Sequence, residues 1–244
     1  MSESSVSISV RGIRKRFGKN LALDGVTTEF ASGLMHGVIG PEGSGKTTLL
    51  RVILGLMKPT EGEIAFYRDG TPIDFEAIRA ALAYMPQQQS LYPDLSIGEH
   101  LDFFRELYGI PDDLYRQRRE ELLHITRLEA FVDRPAGKLS GGMYKKLGLM
   151  CALLRSPTVM LLDEPTTGVD PISRRELWEL LYRLLNQQIL IVVTTSYMDE
   201  AERCGAVHLM ENGKLVAEGE PRALLKREGV PSFDALFLKR GTHA

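Results

Sequence analysis

The sequence predicts an α/β fold: a mainly parallel sheet covered by helices, an N-terminal antiparallel β subdomain, and a helical subdomain inserted in the middle. Three observations carry this. Short apolar segments at Leu34–Ile39, Val159–Leu162 and Ile189–Val193 alternate with helical patterns, as buried parallel strands do. A glycine-rich turn joins the first of these segments to a helix. From about residue 88 to about 155, helix signals replace strand signals altogether. One domain is expected for 244 residues. Its core would run over about 1–87 and 156–225, its helical subdomain over about 88–155, and a short helical tail over about 221–244.

Each element has a local reason. Val6-Ser7-Ile8-Ser9-Val10 alternates as a half-buried strand should, and Val26–Phe30 suits it as a partner. Leu34–Ile39 reads as a buried strand running into the glycine-rich turn. Thr47–Leu54 is helical and stops near Gly55, with Pro59 beyond it. Glu63–Tyr67 and Leu82–Met85 read as strands. Ser96-Ile97-Gly98-Glu99 is a capping box that starts a helix running to about Tyr108, where Gly109 and Pro111 break it. A charged helix follows from about Asp112 to Thr126. Asp170 as N-cap and Pro171 at the first position open a helix that runs to about Asn186. The region after about 221, including Phe233–Lys239, reads as one or two short helices.

Composition excludes several classes. Hydrophobic residues make up 43% and charged ones 25%, ordinary values for a globular chain. Thirty Lys+Arg against 32 Asp+Glu leave a net charge of −2, which argues against a general basic surface for nucleic acid without excluding a local patch, and no nucleic-acid partner is expected. No run approaches the ~18 apolar residues of a membrane span. Met1-Ser2-Glu3-Ser4 leads into the basic Arg14-Lys15-Arg16 without an apolar leader. Cys151 and Cys204 make neither a disulfide framework nor a metal set, which points to a reducing, cytoplasmic compartment.

Gly40-Pro41-Glu42-Gly43-Ser44-Gly45-Lys46-Thr47, followed by Thr48, fits G-x-x-x-x-G-K-[ST] between a strand and a helix. At average residue usage that pattern arises by chance in roughly one such chain in a hundred, and the strand–loop–helix context makes chance rarer still. Glycines let backbone amides converge on phosphate oxygens at a helix N-terminus. Lys46 would reach the β/γ-phosphates and the Thr47 hydroxyl would ligate Mg²⁺. A second element, Val159-Met160-Leu161-Leu162-Asp163-Glu164, is a buried strand ending in two acids. Standing alone it could be an ordinary strand end. With the phosphate loop upstream, Asp163 would hold the Mg²⁺ shell and Glu164 would act as general base toward water.

Leu139-Ser140-Gly141-Gly142-Met143 opens a helix about 20 residues before that strand. In this order, over about residues 6–225, the chain closely resembles the nucleotide-binding subunit of ATP-binding cassette (ABC) transporters, built on a P-loop NTPase core. The resemblance makes Gly40–Thr47 the Walker A loop and Asp163-Glu164 the Walker B acids. It makes Phe17 the aromatic that stacks on adenine, although a core Phe is the plain alternative. Gln87 would contact Mg²⁺ and water and report to the membrane subunit, with Gln88 and Gln89 as loop neighbours. Ser140, Gly141 and Gly142 would bind the γ-phosphate held by a second cassette, and Thr167-Gly168-Val169-Asp170 would cross the dimer interface. Leu91–Ser96 looks like the surface that receives the transmembrane permease subunit. The resemblance thus implies an ATPase on the cytoplasmic face of the membrane, peripheral to it.

Three positions depart from the family pattern. Met143 stands where Gln is usual. Glu42 replaces a neutral or smaller residue, and its side chain is expected to face solvent, away from triphosphate. Ser196, after strand Ile189–Val193, stands where the family has its switch histidine, and serine cannot place an imidazole N–H on the γ-phosphate. None of His36, His100, His124, His208 or His243 lies beside that strand end in sequence. Either the substitution is tolerated or the site is slow, as in asymmetric cassette pairs. Asp170–Trp178 with Ser196-Tyr197 resembles the first cassette of a fused tandem efflux ATPase, and daunorubicin-resistance-type exporters more broadly. A ribosome-associated cassette ATPase and an ATP-gated dimerisation module without turnover remain the alternatives.

Overall fold

The computed structural model describes residues 5–88, 91–186 and 188–241, so Met1–Ser4, Gln89 and His243 lie outside it. Strands β1 (Val6–Phe17) and β2 (Asn20–Ala31) pair antiparallel, with Ile8 opposite Phe30 and Val10 opposite Thr28. The alternation read at Val6–Val10 holds: Val6, Ile8 and Val10 are buried. Strand β3 (Met35–Ile39) is fully buried and runs through the glycine-rich loop into helix α1 (Lys46–Ile53). Strands β4 (Glu61–Arg68) and β5 (Thr71–Ile73) complete a four-stranded sheet in the order β2-β1-β4-β5. Leu34 is not part of β3; it is 45% exposed and covers Gly205.

Helix α2 (Phe75–Arg79) leads to strand β6 (Leu82–Met85). Next come α3 (Ile97–Tyr108), α4 (Asp112–Thr126) and α5 (Gly141–Leu153). The capping box that starts α3 is complete: Ser96 Oγ accepts from the Glu99 N–H and the Glu99 carboxylate accepts from the Ser96 N–H. Strand β7 (Val159–Asp163), helix α6 (Pro171–Leu185) and strand β8 (Leu190–Thr195) follow. The chain closes with strands β9 (Ala206–Glu211) and β10 (Lys214–Gly219) and helices α7 (Pro221–Glu228) and α8 (Phe233–Gly241).

The second sheet has six strands in the order β10-β9-β3-β8-β7-β6, parallel except for the β9–β10 hairpin. It divides the core. Val159, Leu161, Leu190 and Val192 face α1 and the antiparallel sheet, whereas Met160, Leu162, Ile191 and Val193 face α3, α5 and α6. The tail also docks: Phe233 and Leu236 of α8 are fully buried against the turn at Met198–Arg203.

The two sheets are joined by a buried chain of polar side chains, Glu218, Thr28, His208 and His36. The Thr28 hydroxyl donates to Glu218 Oε2 (2.7 Å), so it accepts from His208 Nδ1–H (2.8 Å). His208 Nε2 shares a hydrogen bond with His36 Nδ1 (3.0 Å), and His36 Nε2 lies within hydrogen-bond distance of both the carbonyl (2.9 Å) and the N–H (3.1 Å) of Ala31. Burial lowers the His36 pKa from 6.5 to about 4, partly offset by the Ala31 carbonyl and reinforced by the neighbouring His208. As pH falls below 6.5 the unfolded chain takes up this proton and the folded one does not. The stability tied to His36 is thus complete above 6.5 and is lost as pH falls toward about 4. Relative to His36→Gln, the native chain should lose on the order of 2 kcal/mol between pH 7 and pH 5. Urea melts of both proteins at the two pH values check this, and parallel losses would refute it.

Candidate functional site

The loop between β3 and α1 owes its path to two glycines. A Cβ at Gly40 would lie 2.2 Å from the Met210 carbonyl oxygen, so β9 excludes any side chain there. Gly45 sits at φ 104, and a Cβ on it would meet the Ala22 carbonyl oxygen at 2.6 Å. The loop then opens onto a cavity of about 650 Å³. Of the residues expected at the phosphate site, Phe17, Glu42, Gly43, Gly45, Lys46, Thr47, Thr48, Gln87 and Glu164 line it. Phe17 is 46% exposed with the Lys15 ammonium over its ring, so it is not a core residue. Glu42 is exposed on the cavity wall. Gly40, Pro41 and Ser44 form the loop behind the lining; Ser44 is buried and its hydroxyl has no partner.

Lys46, although a lysine, is buried. Its ammonium donates to the carbonyls of Gly40 (2.7 Å) and Pro41 (3.0 Å) and pairs with Glu164 Oε1 at 3.3 Å. Asp163, at the end of β7, is fully buried and satisfied by three hydroxyls: Thr47 (3.0 Å) and Thr194 (2.7 Å) on Oδ1, and Tyr84 (3.2 Å) on Oδ2. Burial and the Asp163 charge raise the Tyr84 pKa, which keeps that phenol a donor.

Glu164 has φ +49, the left-handed region that is strained for a residue with a Cβ. Its N–H is held by the Thr194 hydroxyl (3.0 Å) and carbonyl (3.2 Å). Glu164 directly follows β7, and its carboxylate pairs with Lys46, the chain neighbour of the Thr47 that bonds Asp163. Glu164 Oε2 accepts from the hydroxyls of Thr167 (2.8 Å) and Ser196 (3.1 Å). Ser196, read from sequence as a missing histidine, is therefore in direct contact with the candidate base.

Ser140, Gly141, Gly142 and Asp170 stand outside this cavity. Ser140 caps α5 by accepting from the Met143 N–H, and Gly141 and Gly142 abut Gly168 and Ser173 so closely that a Cβ at 142 would lie 2.4 Å from Ser173. Asp170 caps α6 through the N–H groups of Ile172 and Ser173. Gln87 is exposed, and its carbonyl accepts from the ammonium of Lys145 (2.9 Å), whose pKa burial lowers. None of the four described histidines lines the cavity. Sequence reasoning missed Tyr84, Thr194 and the hairpin tip Asn212-Gly213, which lines the cavity with Phe17.

Comparison with known proteins supplies the family. Residues 23–167 match the family model described as ABC transporter. The chain belongs to the ABC transporter family. The cassette is 43% identical over 234 residues to the "probable multidrug ABC transporter ATP-binding protein YbhF" of Escherichia coli K12, covering 93% of this chain but 39% of that protein. It is thus well under half the length of that relative. It is also 38% identical over 226 residues to the "Nod factor export ATP-binding protein I" of Ralstonia nicotianae, covering 92% of this chain and 70% of that one. Among solved structures, an "ATP binding subunit of ABC transporter" superposes with a TM-score of 0.82 at 30% identity, over 95% of the cassette and 98% of that chain. The architecture described above is that of an ABC ATPase domain.

Proposed function

We propose that this cassette binds and hydrolyses ATP as the motor of an export transporter, dimerising with a second cassette on ATP and driving a transmembrane permease subunit. The observation that carries the reading is the setting of Glu164: a buried carboxylate 3.3 Å from Lys46, at the wall of a cavity walled by a phosphate loop. The donor set suits Mg²⁺, which prefers oxygen ligands: Thr47 Oγ1 and Asp163 Oδ1 stand 3.0 Å apart at the base of the loop. Thr47 and Asp163, with Gln87 nearby, would hold that ion, which when bound would neutralise phosphate charge. Phe17 would stack on adenine, Gly43–Thr48 would cradle the phosphates through backbone amides, and Lys46 would exchange its carbonyl partners for phosphate oxygens. Glu164 would then orient a water and take its proton.

Other features support the partners. Ser140, Gly141, Gly142 and Asp170 sit together, away from this chain's own cavity, where they are available to a nucleotide held by a second cassette. Tyr84, Met85, Pro86, Leu91, Phe104 and Tyr108 line an apolar groove of about 270 Å³ beside α3, and Tyr92 next to it is 53% exposed. That groove suits a permease segment, with the helices of about 88–155 as its receiver and the segments of about 1–87 and 156–225 as the nucleotide core. No helix of the described residues is long and apolar enough to cross a membrane, in keeping with a peripheral place on its cytoplasmic face. The names of the relatives favour efflux, and we read the chain as one member of a tandem or paired arrangement of the daunorubicin-resistance type.

Ser196 makes this the slower site of an asymmetric pair. Its hydroxyl is committed to Glu164 and is too short to reach past it. Mg²⁺-dependent phosphate release by the purified chain tests the whole reading: Ser196→His should raise turnover about tenfold. If the native chain already turns over at about 1 s⁻¹ and histidine adds nothing, the site is not degenerate. If it neither binds ATP nor releases phosphate, the motor reading fails.

A further inference from the structure

We infer that Arg174, on the second turn of α6, is a positioning residue that sets the distance between the two hydroxyls held on Glu164. The inference rests on the ATPase reading of the site and concerns how its geometry is maintained.

Two separate chain segments bring donors to the same oxygen. Thr167 comes from the loop that ends at Asp170 and enters α6; Ser196 comes from the end of β8. Among the described residues, no backbone hydrogen bond joins these two loops. Arg174 does join them. Its Nε donates to Glu200 Oε1 (2.7 Å), its Nη2 donates to both carboxylate oxygens of Asp199 (3.0 Å each), and its guanidinium lies 4.6 Å from the ring centre of Tyr197. One side chain thus grips three of the four residues that follow Ser196, from a helix whose first residue follows the Thr167 loop directly.

The grip is hard to replace. Glu200 is fully buried; its Oε1 also accepts from the Trp178 indole N–H (3.1 Å), and its Oε2 has no hydrogen-bond partner among the described residues. Without Arg174, that carboxylate would keep a single neutral donor, and a buried charge so poorly matched drives its segment toward water. Arginine supplies two donor directions and a flat face at once; a lysine ammonium on a flexible stem cannot reproduce all three contacts. Moving Tyr197–Glu200 would carry Ser196 away from Glu164 while leaving Lys46, Thr47 and the phosphate loop untouched.

The test compares the native chain with Arg174→Gln, Arg174→Lys and Ser196→Ala, and with Arg174→Gln made in the Ser196→Ala background. Arg174→Gln should lower kcat roughly tenfold with KM and ATP affinity within about twofold. Arg174→Lys should fall between Arg174→Gln and the native chain, and it guards against simple unfolding. In the Ser196→Ala background the same change should cost less than about twofold, because its route of action is gone. Amide hydrogen exchange supplies a readout that needs no turnover: Arg174→Gln should speed exchange over 196–201 and leave α1 unchanged. Equal kcat, a full tenfold loss persisting without the Ser196 hydroxyl, or unchanged exchange over 196–201 would each overturn the inference. A native chain that hydrolyses no ATP, with exchange altered as expected, would instead keep the positioning role and remove the ATPase reading.

Discussion

Glu164→Gln should abolish turnover, by at least about a hundredfold, while ATP still binds. Glutamine has nearly the volume of glutamate and its amide oxygen can still accept from Thr167 and Ser196, so the cavity should keep its shape. What disappears is the capacity to take a proton from water, the contribution of a positioned base being about 10²–10⁴-fold. Lys46 loses its ion partner at 3.3 Å but retains the carbonyls of Gly40 and Pro41, which is why binding should survive. A phosphate-release assay read beside equilibrium binding of a fluorescent ATP analogue separates the two. Residual turnover above about a tenth of the native rate would mean that another group activates the water.

The second large effect concerns folding. Trp178 is 1% exposed on the inner face of α6, its indole N–H donates to Glu200, and its ring is tilted against Tyr182. Trp178→Ala should cost about 3–5 kcal/mol from lost apolar burial and the cavity left behind, a large part of the 5–15 kcal/mol typical of a domain. Trp178→Phe, which retains most of the apolar volume and loses the N–H, should cost about 1–3 kcal/mol. Shifts in urea midpoint at constant m would measure both. A loss below about 1 kcal/mol for the alanine variant would show that the surrounding helices close over the gap.

Much of this molecule is legible where a short stretch carries its own physics. The capping box at Ser96 and Glu99, Asp170 before Pro171, and the apolar runs of β7 and β8 are local signals, and the structure follows them to within a residue or two. The elements that escaped are of two kinds. Strand β5 and helix α2 are three and five residues long, too short for a period to show. The β9–β10 hairpin did carry a signal, since Asn212-Gly213 is a favoured two-residue turn and both residues have positive φ; the mixed run Val207–Met210 around it obscured the alternation. In the site, the motif residues were legible because glycine spacing and strand-end acids are sequence-local. Tyr84 and Thr194 were not, because their roles exist only once β6, β7 and β8 lie side by side. The meaning of Ser196 was half legible: its difference from the family pattern could be read, but its bond to Glu164 could not.

The left-handed backbone at Glu164 has an evolutionary consequence. Asn, Asp and Gly occupy such a conformation at lower cost than Glu, a saving of about 1 kcal/mol. If Glu164 is the base proposed above, folding preference and catalytic need pull position 164 in opposite directions, and glutamate persists only while its carboxylate is used. In a duplicated copy relieved of turnover, relaxed selection and folding preference would favour the same replacements there. Among descendants of this chain, the identity of residue 164 would record whether its site is still at work.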